Sequence, residues 1–278
     1  MAFKTVLAVT GADLGDGDLK LAAALCERIE AHLAVLVVAL AAPPPVGEYA
    51  AVVSDAWLEE READVDMLQK RIAAITALLA SSPVSSDVSG EYAEEAGADD
   101  VIGRRARYAD VTLLGPELLS GGVLKDKAIE GMLFSSGKPL LLVPKGYVPS
   151  LKPKRIMVAW DSRIEASNAV SRSLDLLSAA DEVHLVLVDP LEGESGQGAE
   201  PGADLATYLA RHGVKVTVDR LPSQGRTVAA TLRQHATDIA ADLLVMGGYG
   251  HSRLREWIFG GVTRSMIEEP LLPILMAR

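Results

Sequence analysis

The sequence holds one cysteine, three phenylalanines and three tryptophans in 278 residues, and aromatic residues make up only 4% of it. A lone thiol excludes an internal disulfide. Cys26 shares a helical stripe with Ala22, Leu25 and Ile29, which assigns it to core packing rather than to reactivity. Positive charge is also short: 27 Lys and Arg stand against 38 Asp and Glu, and the formal net charge is −11. No local basic patch of useful size offsets that total. Phosphate backbones and anionic lipid would repel such a chain, so neither nucleic acid nor a membrane surface is an expected partner. Long apolar runs are missing too. The longest, Leu33 to Ala42, is too short to span a bilayer, and Met1 to Lys4 leads into a strand rather than a cleavable signal, so the expected location is the cytoplasm.

What is present is aliphatic. Hydrophobic residues make up 49% of the chain, and with so few aromatics the cores must be built from Ala, Val, Leu and Ile. That composition suits strands buried on both faces by helices. The chain also repeats itself. Lys4 to Val9 and Arg155 to Trp160 are short apolar runs, each followed by a polar turn and a helix, at Asp18 to Glu30 and Glu165 to Ala180. Buried strands follow at Leu33 to Leu40 and Val183 to Val188, then second helices at Leu58 to Ala80 and Ala203 to His212. Weaker strands at Asp87 to Tyr92 and Val214 to Arg220 precede third helices at Ala96 to Tyr108 and Thr227 to Ala240. The closest correspondence sets Ala109 to Gly115 against Ala241 to Gly247, a helix end running into a buried strand that stops at glycine. Last strands are expected near Lys138 to Pro144 and Leu271 to Met276.

Strands alternating with helices imply parallel sheets, because parallel strands need crossover connections. The expected architecture is two tandem doubly wound α/β domains, each with a five-stranded parallel sheet, spanning residues 1–148 and 149–278. Gly146, Pro149 and Pro153 mark the linker. Proline suits a central strand badly, so Pro273 predicts that the final strand lies at a sheet edge. Two such edges would cover each other, and the expectation is a pseudo-twofold pair joined through the final strands, an intrachain counterpart of a dimer. The helix Leu58 to Ala80 carries Val65, Leu68, Ile72, Ile75 and Leu79 at alternating spacings of three and four, which core contact explains and which leaves homodimer contact open.

Ligands of doubly wound sheets sit beyond the carboxyl ends of the strands. In the second half that place is rich in glycine: Gly247, Gly248 and Gly250, then nine residues, then Gly260 and Gly261 opening a helix. Glycine lets backbone amides approach an anion, and a helix start adds unpaired N–H groups and a positive dipole end. Thr263 adds a hydroxyl, and Arg253 or Arg255 adds charge where the intervening loop folds over a ligand. His251 lies in that loop without Ser and Asp partners at triad spacing, so no catalytic residue is assigned. His32, His184, His212 and His235 are scattered, no pair has metal-ligand spacing with a carboxylate or thiol, and no metal site is expected.

The run Gly247-x-x-Gly250, nine residues and Gly260 followed by a small residue, together with Val158-Ala159-Trp160-Asp161, resembles the nucleotide-binding signature of the universal stress protein family in its tandem form. The resemblance implies the adenine nucleotide alpha hydrolase-like fold and binding of ATP or a related adenine nucleotide, with or without magnesium, in the C-terminal copy. It implies Asp161 at the adenine end, Leu187 and Val188 backbone lining the base, and Met246 and Gly247 near ribose. Gly250, Arg253, Gly260, Gly261, Val262 and Thr263 would hold phosphate. Asp161 is equally a preferred helix cap, and the two roles are compatible. The family usually has Ser or Thr where this chain has Gly261, which removes one hydroxyl, worth on the order of 1 kcal/mol, and keeps the amide. The first half departs further: Gly11 stands where Asp161 does in the second, and Glu117 brings negative charge to the turn after Gly115. That half is expected to hold no nucleotide. The resemblance implies a stress-response regulator with an unknown protein partner. A slow ATPase or phosphotransferase, and an interaction scaffold without nucleotide, are the alternatives.

Overall fold

In a computed structural model, residues 3–41, 55–190, 200–249 and 261–278 are described. The chain divides into two compact units, Phe3–Lys138 and Pro139–Arg278.

The first unit carries β1 (Thr5–Gly11), α1 (Gly17–Ile29), β2 (His32–Ala41), α2 (Asp55–Ala80), β3 (Ser86–Glu94), α3 (Ala98–Ala106), β4 (Val111–Leu114), α4 (Pro116–Leu119) and α5 (Val123–Glu130). Its strands are parallel in the order β3-β2-β1-β4. They read as unbroken apolar runs because helices cover both faces: Val6, Leu33, Val35, Leu36, Val111 and Leu113 are fully buried. Along α2, Leu68, Ile75 and Leu79 are buried while Val65 is exposed, and a side chain at Gly90 of β3 would run into Ile72. The three-and-four spacing of α2 therefore reads out sheet contact. A π-helical turn over Gly131–Ser136 extends α5. It lies so close to α3 that a side-chain carbon at Gly131 would meet the Asp99 carbonyl at 2.2 Å. Cys26 is buried on α1, and burial pushes its thiol pKa up to about 12.

The second unit carries β5 (Leu140–Leu142), β6 (Arg155–Ala159), α6 (Ile164–Ala179), β7 (Glu182–Val188), α7 (Ala203–Arg211), β8 (Val216–Leu221), α8 (Val228–Asp238), β9 (Leu243–Gly247), α9 (Gly261–Glu268) and β10 (Ile274–Ala277). The order is β5-β10-β9-β6-β7-β8, parallel except for β5, which runs antiparallel to β10 with Leu141 opposite Leu275. The final strand of the first half thus pairs with the final strand of the second. β10 closes the parallel run β10-β9-β6-β7-β8, and its outer side is covered by β5, the pairing of final strands expected from Pro273. Pro273 is tolerated because it precedes the strand, where a missing N–H costs no ladder bond and its carbonyl still accepts from the Leu244 amide at 2.9 Å.

The α/β fold read from the sequence is the observed one, with mostly parallel sheets wound by helices. The two units also share a side-chain arrangement. Asp110 Oδ2 accepts the amides of Lys4 and Thr5 at 2.7 and 2.9 Å, and Asp242 Oδ2 accepts those of Lys154 and Arg155 at 2.9 Å each. Each aspartate ties the start of a fourth strand to the start of a first strand. Among the described residues, no helix is long and apolar enough to cross a membrane.

Candidate functional site

Parallel register makes the strand ends of the second unit level. Ala159 of β6 pairs with Val186 of β7 and with Met246 of β9, so the residues just beyond them share one edge of the sheet. Asp161, Leu187, Val188, Met246 and Gly247 are brought together in this sense. Leu187 and Met246 are buried, Val188 is half-buried and Asp161 is exposed. Asp161 Oδ1 accepts the Arg163 amide at 3.1 Å, and Arg163 Nε lies 3.7 Å from Oδ2. Asp161 thus braces the turn entering α6 while its carboxylate stays open to solvent. Trp160, half-buried, is fixed by its amide to the Val186 carbonyl at 2.9 Å.

Gly247 has a steric cause of its own. A side-chain carbon there would stand 2.5 Å from the Ala166 nitrogen and 2.7 Å from the Glu165 carbonyl carbon, both backbone of the first turn of α6. Only glycine lets that turn rest on the end of β9. Beyond it, the Gly248 amide bonds the Ala277 carbonyl at 2.8 Å, and Tyr249 turns left-handed with φ 57°. The Tyr249 amide reaches the buried hydroxyl of Thr263 at 3.4 Å. Thr263 therefore ties the turn after β9 to the first turn of α9. The amides of Gly261, Val262 and Thr263 make no bond to a described residue, as expected where a helix begins. Gly261 is exposed, and a side-chain carbon placed on it would meet nothing within 4 Å among the described residues. Gly250, Arg253 and Gly260, with His251 and Arg255, lie outside the described residues.

The matching place in the first unit is filled. Asp18, from α1, reaches the turn after β4: Oδ1 accepts the Glu117 amide and Oδ2 the Leu118 amide, both at 2.9 Å. A side-chain carbon at Gly115 would collide with that carboxyl group at 2.3 Å. Glu117 in turn accepts the Gly17 amide at 3.1 Å. Asp18 is only 3% exposed, and burial raises its pKa against the opposing pull of its two amide bonds, with Glu117 adding to the rise. The Ser120-Gly121-Gly122 stretch is a turn in which the glycines supply φ of 133° and 92°.

A second cluster lies on the face of β7 and β8 that meets α8. His184 Nδ1 is 2.7 Å from Asp219 Oδ2, and His235 Nε2 is 2.9 Å from the same oxygen. Sequence spacing missed it because the members sit on three elements, 35 and 16 residues apart. Only the parallel pairing of His184 with Thr217, two residues before Asp219, puts them on one face. On the far side of His184, Glu182 is hydrogen-bonded by Arg155 at 2.6 Å, which holds its carboxyl below the usual carboxylate range.

Parallel strands wound by helices, with a fourth strand that ends at a glycine, define a doubly wound α/β domain. The model of the universal stress protein family matches residues 152–278. A universal stress protein of Synechocystis sp. is 29% identical over 154 residues, covering 54% of this chain and 50% of that protein, so the match spans about half the relative's length. Among solved structures, a universal stress protein from Archaeoglobus fulgidus is similar in fold over 99% of this chain and 96% of its own, with a TM-score of 0.68 at 17% identity. A second, described as a putative universal stress protein of Pseudomonas aeruginosa, covers 99% and 93% with a TM-score of 0.57 at 14% identity. Through its C-terminal half the chain is similar to the universal stress protein family.

Proposed function

We propose that the C-terminal domain, residues 149–278, binds ATP or a related adenine nucleotide, and that the chain acts in the cytoplasm as a nucleotide-dependent regulator of a stress response. The carrying observation is the open start of α9: Gly261, Val262 and Thr263 present amides with no bond to a described residue, and Thr263 fastens them beside Gly247–Tyr249. Three amides at a helix start, with the dipole behind them, suit a phosphate chain. Asp161, with an exposed carboxylate at the end of β6, is placed on the same sheet edge and suits the donor groups of an adenine or ribose. No described residue comes within 4 Å of a side-chain carbon at Gly261, where the family commonly has a hydroxyl. The first domain, residues 1–148, holds no nucleotide in this reading, because the amides of the turn after its fourth strand are taken by Asp18.

Equilibrium binding of ATP to the full chain tests the reading. Saturable binding in the micromolar to millimolar range, abolished by Gly250→Val and weakened by Asp161→Ala, is the expected result. No binding at millimolar ATP would overturn it. Occupancy regulates only where it favours one conformation over another, so a partner's affinity must differ between the ATP-bound and ATP-free protein.

A further inference from the structure

We propose that His184, Asp219 and His235 form a binding site for a single divalent transition-metal ion of the zinc class, independent of the nucleotide reading. Two imidazoles and a carboxylate are the donors that borderline ions such as zinc(II) and cobalt(II) select. The three ligand atoms, His184 Nδ1, Asp219 Oδ2 and His235 Nε2, all lie within 4.8 Å of one another. All three side chains are shielded to a similar degree, with 18%, 20% and 17% of their surface exposed. A tetrahedral ion with bonds of about 2.0–2.1 Å needs its ligand atoms about 3.3 Å apart. The contacts of 2.7 and 2.9 Å would therefore open by about half an ångström, which small side-chain rotations supply.

The chemistry of the metal-free cluster points the same way. Two ring nitrogens, His184 Nδ1 and His235 Nε2, converge on one carboxylate oxygen, Asp219 Oδ2. A metal ion would put one centre of positive charge at the point where these three donor atoms meet. An outer partner is also in place: His184 Nε2, the nitrogen that does not ligate, faces Glu182 Oε2 at 4.0 Å, and Arg155 fixes that carboxylate. A carboxylate behind a ligating histidine orients the ring and strengthens it as a donor once it closes to hydrogen-bond range. The supports are rigid, since His184 and Asp219 stand on adjacent paired strands and His235 on α8. Three protein ligands leave a fourth position for water. His184 also borders a shallow hollow of about 530 Å³ with Glu182, Lys215 and Thr217, so solvent and ions reach the cluster from outside.

His32 supplies an internal control. It contacts Asp87 at 2.7 Å and Ser85 at 2.9 Å but has no second histidine. The test is a cobalt(II) titration of the full chain, first stripped with chelator, followed by visible absorption and by zinc(II) competition. The expected result is saturation at one equivalent per chain with the intense visible bands of four-coordinate cobalt, displaced by zinc. His235→Ala and Asp219→Asn should weaken binding by at least about tenfold, while His32→Ala leaves it unchanged. Thermal unfolding in chelator reports whether each variant is folded. Where His235→Ala is not, His235→Gln, which still donates to Asp219, takes its place. A pale six-coordinate spectrum, no saturable binding, or binding indifferent to His235 and Asp219 would overturn the proposal. ATP binding plays no part in these readouts, so either reading fails without the other.

Discussion

The two units solve the same turn in opposite ways. In each, a buried strand ends at a glycine, Gly115 or Gly247, because the start of the unit's first helix, α1 or α6, lies against it. In the first unit that helix contributes Asp18, whose two oxygens take the amides of Glu117 and Leu118. In the second unit the helix approaches with the backbone of Glu165 and Ala166. The first unit thus satisfies the amides of this turn with its own carboxyl group, while the second is the one proposed to take a ligand. Two units that share a framework can differ at this turn through one internal hydrogen-bonded residue, without any change of fold.

The largest effect follows from the steric half of the comparison. Gly247→Ala places a methyl group against backbone that cannot rotate away, and overpacking of this kind costs typically about 1–3 kcal/mol. We expect the upper end of that range, read as a lower midpoint in urea unfolding. Equal stability would mean that α6 is free to lift from the sheet. Next is Asp18→Ala, which leaves the Leu118 amide buried without its acceptor and should destabilise the first unit by about 1–3 kcal/mol. Iodoacetamide labelling of Cys26 reads that unit alone, since a buried thiol with its pKa near 12 reacts only when the unit opens. Labelling no faster in Asp18→Ala than in the parent chain would show that the internal anion contributes nothing. Smaller again is Gly261→Ser. Its side-chain carbon meets no described residue within 4 Å, so unfolding should be unchanged, while one added hydroxyl donor raises ATP affinity about fivefold, or about 1 kcal/mol. Unchanged affinity would place the phosphates away from the start of α9.

The fold was legible in the sequence because its signals are local and redundant. Unbroken aliphatic runs such as Leu33 to Leu40 have few alternatives to a strand buried on both faces. The Ala-Asp pairs at Ala109-Asp110 and Ala241-Asp242 exposed the repeat, and the structure gives both aspartates the same pair of amides. Pro273 was legible as the mark of a strand that ends its own parallel run, although it adjoins β10 and does not lie within it. Gly247 was legible as a glycine but not for its cause, the backbone of α6. Glu117 was noticed as a charge in the wrong place, but Asp18, 99 residues from the amide it accepts, carried no local signal. The histidines were invisible for the same reason. Their convergence depends on strand register and on where α8 docks, neither of which any spacing encodes.

The smallest effect concerns the charge on Asp18. Burial outweighs the two amide bonds and raises its folded pKa above that of the unfolded chain. Its contribution to stability is then complete at low pH, where both states are protonated, and is lost as pH rises through the folded pKa, because the unfolded chain releases its proton first. Asp18→Asn cannot titrate. The stability deficit of Asp18→Asn should therefore be greatest near pH 4 and should narrow toward about pH 7, while groups remote from Asp18 cancel in the difference. Unfolding free energies of the two proteins across that range measure it directly. A deficit that widened with pH would mean that the amides of Glu117 and Leu118 hold the ionised form more strongly than burial opposes it. The first unit would then bind its internal anion in the way the start of α9 is proposed to bind phosphate.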